Sequence, residues 1–101
     1  MMAIETIYDK HGNLIYLTDE RWNHIVEFHE EMLNYKKELV KTLRFGKRKQ
    51  DPYDPSIYTY YHEFGDLERG FNHIIVVVKF GFTKTFELNN FVLTAYQKFV
   101  Y

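Results

Sequence analysis

The sequence predicts an α+β fold: an N-terminal β-hairpin or strand, and two helices packed on a curved antiparallel sheet. Two patterns with helical spacing are followed by three long apolar or alternating stretches, joined by short connections. The 101 residues suffice for one hydrophobic core, and 19% aromatic residues is too many for a disordered chain. We therefore predict a single domain over residues 1–101.

The first predicted element is a β-hairpin. Residues 4–9 and 13–17 are rich in apolar, β-branched and aromatic side chains, which favour strands. Between them Lys10, His11 and Gly12 form a turn, and its glycine can adopt a positive φ angle at little cost.

A helix is predicted to begin directly after the hairpin. Thr18 can accept a hydrogen bond from the first turn, and Asp19 and Glu20 suit the positive end of the helix dipole. One face then carries four residues at helical spacing, namely Trp22, Ile25, Val26 and His29. His29 is therefore expected to point in the direction of the apolar stripe.

A second helix is predicted from about residue 31 to residue 43. Its apolar residues recur at helical spacing, and Lys36, Lys37 and Lys41 are expected to point outward. Gly46 is expected to end the helix or its last turn. Two prolines then make residues 51–55 a loop.

Three strands are predicted over residues 57–64, 71–80 and 90–96. The run 73–78 is apolar on both faces, which indicates a central strand. In the last strand Val92, Thr94 and Tyr96 should share one face, so that two hydroxyl groups lie side by side. Both residues are also ordinary strand formers, and a purely structural role is the alternative.

The first of these strands has aromatic side chains at alternate positions. Tyr58, Tyr60, His62 and Phe64 should line one face, and Tyr61 the other. Such a face could stack on the bases of a nucleic acid, with Tyr60 as a contact, or could form a wide aromatic core.

Histidine is the side chain best suited to exchange a proton near neutral pH. His24 and His29 are separated by about 140° around the first helix, so they do not form a two-ligand metal pair. His29 could act in proton transfer or could be a core residue bonded to a backbone carbonyl. His62 and His73 lie on adjacent predicted strands, where a structural pairing is equally expected. We predict no metal and no other cofactor.

Charge is distributed unevenly along the chain. Residues 36–49 contain seven basic residues and only Glu38 as an acid, whereas the remaining chain has six basic and thirteen acidic residues. Concentrated positive charge favours a polyanion, because each phosphate contact releases counterions; the alternative is a solvated surface that only confers solubility. The candidate nucleic-acid contacts are Arg21, Lys41, Arg44, Lys47, Arg48, Lys49 and Tyr60.

Several classes of protein are excluded. Without cysteine there are no disulfides, thiol nucleophiles or Cys-ligated zinc sites, and the five glycines form no phosphate-binding loop, dinucleotide fingerprint or nucleophile elbow. The apolar run 74–78 is far shorter than the roughly 20 residues of a membrane span, and no apolar signal region is evident. We expect a cytoplasmic protein with no membrane partner.

Several blocks resemble, in order, a family of small bacterial and phage proteins. They are residues 17–25 (LTDERWNHI), 29–31 (HEE), 75–79 (IVVVK) and 91–96 (FVLTAY). The family pattern is L-T-x-E-R-W-x-H-I, H-P-E, a V-V-V-K strand and a closing F-x-x-T-A-Y. The family that this chain resembles is the phage-type branch of the barnase, EndoU, colicin and RelE-like (BECR) ribonuclease superfamily. The resemblance covers about residues 14–98 and implies a RelE- or barnase-like fold and a toxin-type ribonuclease.

By this resemblance His24 and His29 are the family histidines, Arg21 the family arginine, and Thr94 with Tyr96 the closing hydroxyl pair. The implied reaction is metal-independent: a base takes the proton of the ribose 2'-hydroxyl, the oxyanion attacks the phosphorus, and an acid protonates the departing 5'-oxygen. The product is a 2',3'-cyclic phosphate. His29 is the expected base, and His24 or Tyr96 the expected acid.

Thr94 together with Arg44, Lys47 or Arg48 is expected to stabilise the phosphorane charge. The chain departs from the family at Glu30, where proline is usual, and this change could let the first helix continue. It departs again after Leu43, where a basic stretch replaces one that is often acidic in relatives.

Two non-catalytic functions stay open. The fold could hold RNA, DNA or an antitoxin-like protein with its basic 36–49 face, or it could be an interaction protein with an exposed aromatic patch. The expected partners are RNA and a cognate antitoxin or regulatory protein.

Overall fold

The structure is a computed structural model that describes residues 4–101. Within these residues it has six strands, two α-helices and two short 3₁₀ turns. The strands are β1 (Ile4–Tyr8), β2 (Leu14–Thr18), β3 (Lys47–Gln50), β4 (Ile57–Glu63), β5 (His73–Lys79) and β6 (Phe91–Lys98). The helices are α1 (Asp19–Phe28) and α2 (Lys36–Phe45), and the 3₁₀ turns are Glu30–Met32 and Glu68–Gly70. The predicted α+β fold class is confirmed.

The six strands form one sheet in the order β1-β2-β6-β5-β4-β3. All neighbours are antiparallel except β2 and β6, which pair in parallel at Tyr16 and Phe91. The sheet is therefore mixed and not wholly antiparallel as predicted. β5 lies inside the sheet, as its two-sided hydrophobicity indicated, and Ile74, Val76 and Val78 are fully buried in it.

Both helices pack on one face of the sheet. α1 contacts β2 and β6, and α2 contacts β4, β5 and β1. The N–H of Arg21 donates to Oγ1 of Thr18 at 3.1 Å, which confirms the predicted helix start. The helices bury Ile25, Leu39 and Leu43 against the sheet. Neither helix among residues 4–101 has the length and apolar character needed to cross a membrane.

The sheet is curled, so its two ends approach each other across α2. Asp9 follows β1, at one end of the sheet, and its carboxylate is almost fully buried. Its Oδ2 accepts a hydrogen bond of 2.5 Å from the hydroxyl of Tyr60 on β4. The same oxygen lies 3.9 Å from Nη1 of Arg48 on β3, the strand at the other end. Asp9 therefore joins the two ends of the sheet.

The helices and the third strand differ from the prediction. α1 ends at Phe28, so Glu30 does not extend it and instead starts a separate 3₁₀ turn; α2 begins only at Lys36. Residues 47–50, for which no strand was predicted, form the edge strand β3 and pair with β4. Lysine-rich edge strands are common because their charge discourages pairing with a further strand.

Gly46 connects α2 to β3 where the backbone leaves no room for a side chain. A Cβ atom would lie 2.4 Å from the carbonyl oxygen of Thr42 and 2.7 Å from that of Tyr61. Its φ of -70° is open to any residue, so close approach selects glycine here. We expect Gly46→Ala to lower the free energy of unfolding by about 2 kcal/mol in urea denaturation. Gly65→Ala, at an open position, is the control, and equal stability of the two variants would contradict this explanation.

Candidate functional site

The face of the sheet turned away from the helices, called here the open face, has a pocket. Strand register brings side chains of β3, β4, β5 and β6 to this face. The pocket has a volume of about 360 Å³. Its lining includes Lys49, Thr59, Tyr61, His73, Tyr96 and Lys98, one acidic residue, Asp51, and the apolar residues Pro52, Ile75 and Val100. We refer to it as the open-face pocket.

A break in register decides which residues of β6 face this pocket. Val77 pairs with Thr94 but Val78 pairs with Val92, so β6 has one extra residue between them. Val92 is consequently buried on the helix side, whereas Thr94 and Tyr96 belong to the open face. The predicted hydroxyl pair does share a face, but the prediction that Val92 joins it is wrong because of this bulge.

His29 lies beside Tyr96. The centroids of the two rings are 5.6 Å apart, with an angle of 35° between the ring planes. His29 caps the C-terminus of α1, and its Nδ1 is 3.9 Å from Oε2 of Glu31. The His29 side chain is 35% exposed, so it is not a buried core histidine. Two of the four predicted catalytic residues are thus brought together.

His24 lies in a different place. Its ring packs on that of Phe28, with 4.7 Å between centroids. It lines a cleft of about 640 Å³ between α1 and the β2–β6 junction, together with Arg21, whose Nη1 donates to the carbonyl of Leu93 at 3.4 Å. The structure therefore does not bring His24 or Arg21 into the open-face pocket, and His24 is not placed to act as its acid.

The basic residues of segment 36–49 do not form one surface. Lys41 and Arg44 line a groove along α2 on the helix side of the sheet. Lys47 and Lys49 extend from β3 on the open face, opposite Tyr61 and Thr59. The single positive face predicted from the sequence is wrong, because the sheet lies between the two groups.

Arg48 and Tyr60 lie on the helix side of the sheet. Tyr60 is 1% exposed and donates its hydroxyl hydrogen to Asp9, so its ring is not available to stack on a base. The guanidinium of Arg48 lies 4.3 Å from the ring centroid of Tyr58. The prediction of Tyr60 as a nucleic-acid contact is wrong because its ring is buried, whereas Arg48, with 23% of its side chain exposed, stays a prediction. Tyr61, on the opposite face of β4, is the tyrosine of this strand that lines the pocket.

His73 is a pocket residue that the sequence did not distinguish from structural histidines. The register pairs His73 with Glu63 and His62 with Ile74, so the two imidazoles lie on opposite faces of the sheet. His62 packs edge-on against Phe64 on the helix side, at 4.9 Å. The alternation of side chains along each strand could be predicted from the sequence, but only the register between the strands shows that the two histidines do not meet.

The site combines groups that bind anions with groups that exchange protons. Lys49 and Lys98 offer ammonium groups to a phosphate, and the rings of Tyr61 and Tyr96 offer stacking surfaces. His29 and His73 supply imidazoles. Among residues 4–101, no group of three or more His, Asp or Glu side chains is arranged to hold a metal ion.

Comparisons of this chain with protein-family models, with curated proteins and with solved structures find no match. The resemblance to BECR ribonucleases therefore depends on the sequence blocks alone.

Proposed function

We propose that the protein is an endoribonuclease that binds RNA in the open-face pocket and cleaves it by attack of the ribose 2'-hydroxyl on the adjacent phosphorus. The observation that supports this most strongly is the contact of His29 with Tyr96 at a pocket lined by Lys49 and Lys98. This reaction needs a base, an acid and positive charge around one phosphate. The pocket has the two lysines and the hydroxyl of Tyr96, and His29 lies beside Tyr96.

The groups have distinct roles in this scheme. His29 and Tyr96 exchange protons with the substrate, and Lys49 and Lys98 bind the phosphate. Thr94 shares the open face with Tyr96 and can donate a hydrogen bond to a phosphate oxygen. The products are a 2',3'-cyclic phosphate and a 5'-hydroxyl. No step of the scheme uses a metal ion.

A second candidate is a protein that binds RNA in the same pocket without cleaving it. The pairing of Lys47 with Tyr61 on adjacent strands supports this candidate, because a cation beside an aromatic ring suffices to hold a nucleotide. A cognate antitoxin-like protein could cover the same surface in either case.

Purified protein incubated with mixed cellular RNA in EDTA tests the proposed function. We expect new ends with 2',3'-cyclic phosphate and 5'-hydroxyl groups, and the His29→Ala protein purified in parallel controls for contaminating nucleases. Salt-sensitive binding without new ends would favour the binding candidate. Neither binding nor cleavage under any condition would reject both.

Matched double variants can distinguish the contributions of the two basic surfaces to RNA binding. We expect Lys47→Ala/Lys49→Ala to reduce the slope of log K against log salt for single-stranded RNA by about 1.4, because each phosphate contact contributes about 0.7. Lys37→Ala/Lys41→Ala removes the same charge on α2 and should leave the slope unchanged. Fluorescence anisotropy at several salt concentrations measures both. An equal reduction of the slope in both double variants would mean that total charge, and not the position of the charge on the open face, determines binding.

A further inference from the structure

The side-chain amide of Asn72, just before β5, is held in one orientation. Its Nδ2 donates to the carbonyl of Val100 at 2.6 Å, and its Oδ1 accepts from the N–H of Val100 at 2.8 Å. Because a carbonyl only accepts and an N–H only donates, reversing the amide would lose both bonds. The position of Oδ1 is therefore determined by the backbone.

This amide in turn sets the tautomer of His73. Nδ1 of His73 lies 2.8 Å from Oδ1 of Asn72. Since Oδ1 can only accept, Nδ1 must bear the proton, and the Nε2 of a neutral imidazole then has a free lone pair. His73 is thus prepared as a proton acceptor.

His73 lies where such an acceptor can reach a substrate. It lines the open-face pocket and is paired directly with Lys98 across β5 and β6. Tyr96 pairs with Ile75, the next residue of β5 on the same face, so Tyr96 is the diagonal neighbour of His73. Diagonal neighbours are about 7–8 Å apart on a strand pair, so both side chains belong to the same part of this pocket of about 360 Å³.

His29 has a different partner from His73. Its Nδ1 lies 3.9 Å from Oε2 of Glu31, an ion-pair distance. An anion interacts favourably with a protonated imidazole, whereas the neutral amide of Asn72 fixes the tautomer of an uncharged one. His73 also has a carboxylate neighbour, since Glu63 pairs with it across β4 and β5, so the two histidines differ in the fixed tautomer of His73.

We propose that His73 is the base of the cleavage reaction and that Asn72 is its positioning residue. The proton moves from the ribose O2' to Nε2 of His73, the O2'–P bond forms, and the P–O5' bond breaks. O5' takes its proton from His29. This inference rests on the proposed ribonuclease function, and it gives His73 the role that the sequence assigned to His29.

The tautomer can be measured without any substrate. Long-range ¹H–¹⁵N NMR on the ¹⁵N-labelled protein, at a pH where His73 is neutral, should show the proton on Nδ1. Asn72→Ala should remove this preference. A proton on Nε2 in the wild-type protein would overturn the inference, whatever the protein does to RNA.

Single-turnover cleavage of RNA tests the catalytic role. We expect His73→Ala to lower the rate about 100-fold to 10,000-fold with the circular dichroism spectrum unchanged. His73→Gln serves in its place should the alanine variant not fold. In steady-state measurements we expect Asn72→Ala to lower kcat with little change in KM, because it disturbs the base and not the binding of RNA.

The outcomes separate this inference from the proposed function. His11→Ala, in the exposed turn before β2, is the control and should cleave like the wild type. If the wild-type protein cleaves RNA and the His73→Gln variant is fully active, His73 is not the base, but the proposed ribonuclease function stands. A wild-type protein that leaves RNA intact would reject both.

Discussion

Replacing His29 with alanine is expected to lower the rate of RNA cleavage by about 100-fold to 10,000-fold, the usual contribution of a positioned proton-transfer group. The imidazole contacts the ring of Tyr96 and is partly open to solvent, so it can reach a substrate in the neighbouring pocket. Stability should change little, because the side chain is 35% exposed at the end of a helix. Single-turnover rates, with thermal unfolding followed in parallel, measure the two effects.

His24→Ala distinguishes this assignment from the one implied by the family resemblance. His24 lies in the cleft beside α1 and packs on Phe28. Its removal is therefore expected to leave the rate of RNA cleavage close to that of the wild type. If His24→Ala lowered the cleavage rate as much as His29→Ala, this would mean that the cleft, and not the open-face pocket, binds the scissile phosphate.

Replacing Asp9 with alanine is expected to have the largest effect on stability, a loss of about 3 kcal/mol in the free energy of unfolding. Oδ1 of Asp9 accepts the backbone N–H groups of His11 and Asn13, at 2.9 and 2.8 Å. Oδ2 accepts from Nδ2 of Asn13 at 2.9 Å and from the hydroxyl of Tyr60. Without the carboxylate, the buried hydroxyl loses its acceptor and the two ends of the sheet lose their connection.

Chemical denaturation of Asp9→Ala and of an exposed control, Asp66→Ala, measures this loss. A double-mutant cycle between Asp9→Asn and Tyr60→Phe should give a coupling free energy of about 1 kcal/mol or more, because the two groups share one hydrogen bond. Independent effects of the two substitutions, or equal stabilities of the two alanine variants, would show that Asp9 does not connect the ends of the sheet.

The same carboxylate makes stability depend on pH. Burial by itself would raise the pKa of Asp9, but hydrogen bonds from Tyr60, from Asn13 and from the N–H of His11 lower it below the ordinary value of 3.8. A lowered pKa in the folded state adds stability above the unfolded value, and this stability is lost as the pH falls through the folded value. Unfolding free energies measured from about pH 5 downward should therefore fall in the wild type. In the Asp9→Asn variant, the part of this acid-induced fall in stability that comes from Asp9 should be absent.

Features governed by neighbouring residues could be predicted from the sequence. The helix start at Thr18 depends on one local hydrogen bond, and the interior position of β5 follows from the two-sided hydrophobicity of residues 74–78. The hairpin of β1 and β2 was likewise evident from its turn. The fold class could be inferred because these signals are local and agree with one another.

Features governed by distant pairing could not be predicted. Residues 47–50 are polar and become a strand only because β4 offers a free edge, and their alternation then sends Arg48 and Lys49 to opposite faces. The bulge in β6 similarly moved Val92 away from Thr94, since a shift of one residue exchanges the faces of a strand. The basic surface and the grouping of the histidines depended on this register, which the sequence did not specify.

The position of the site on the open face is tested most directly by NMR titration of the ¹⁵N-labelled protein with a short RNA that has a 2'-deoxy sugar at each cleavable step. The substitution prevents 2'-hydroxyl attack, so the complex persists. We expect the largest amide shifts at the residues that line the pocket, namely Lys49, Thr59, Tyr61, His73, Tyr96 and Lys98. Shifts confined to the α2 groove around Lys41 and Arg44, with the open face unchanged, would contradict the proposed site.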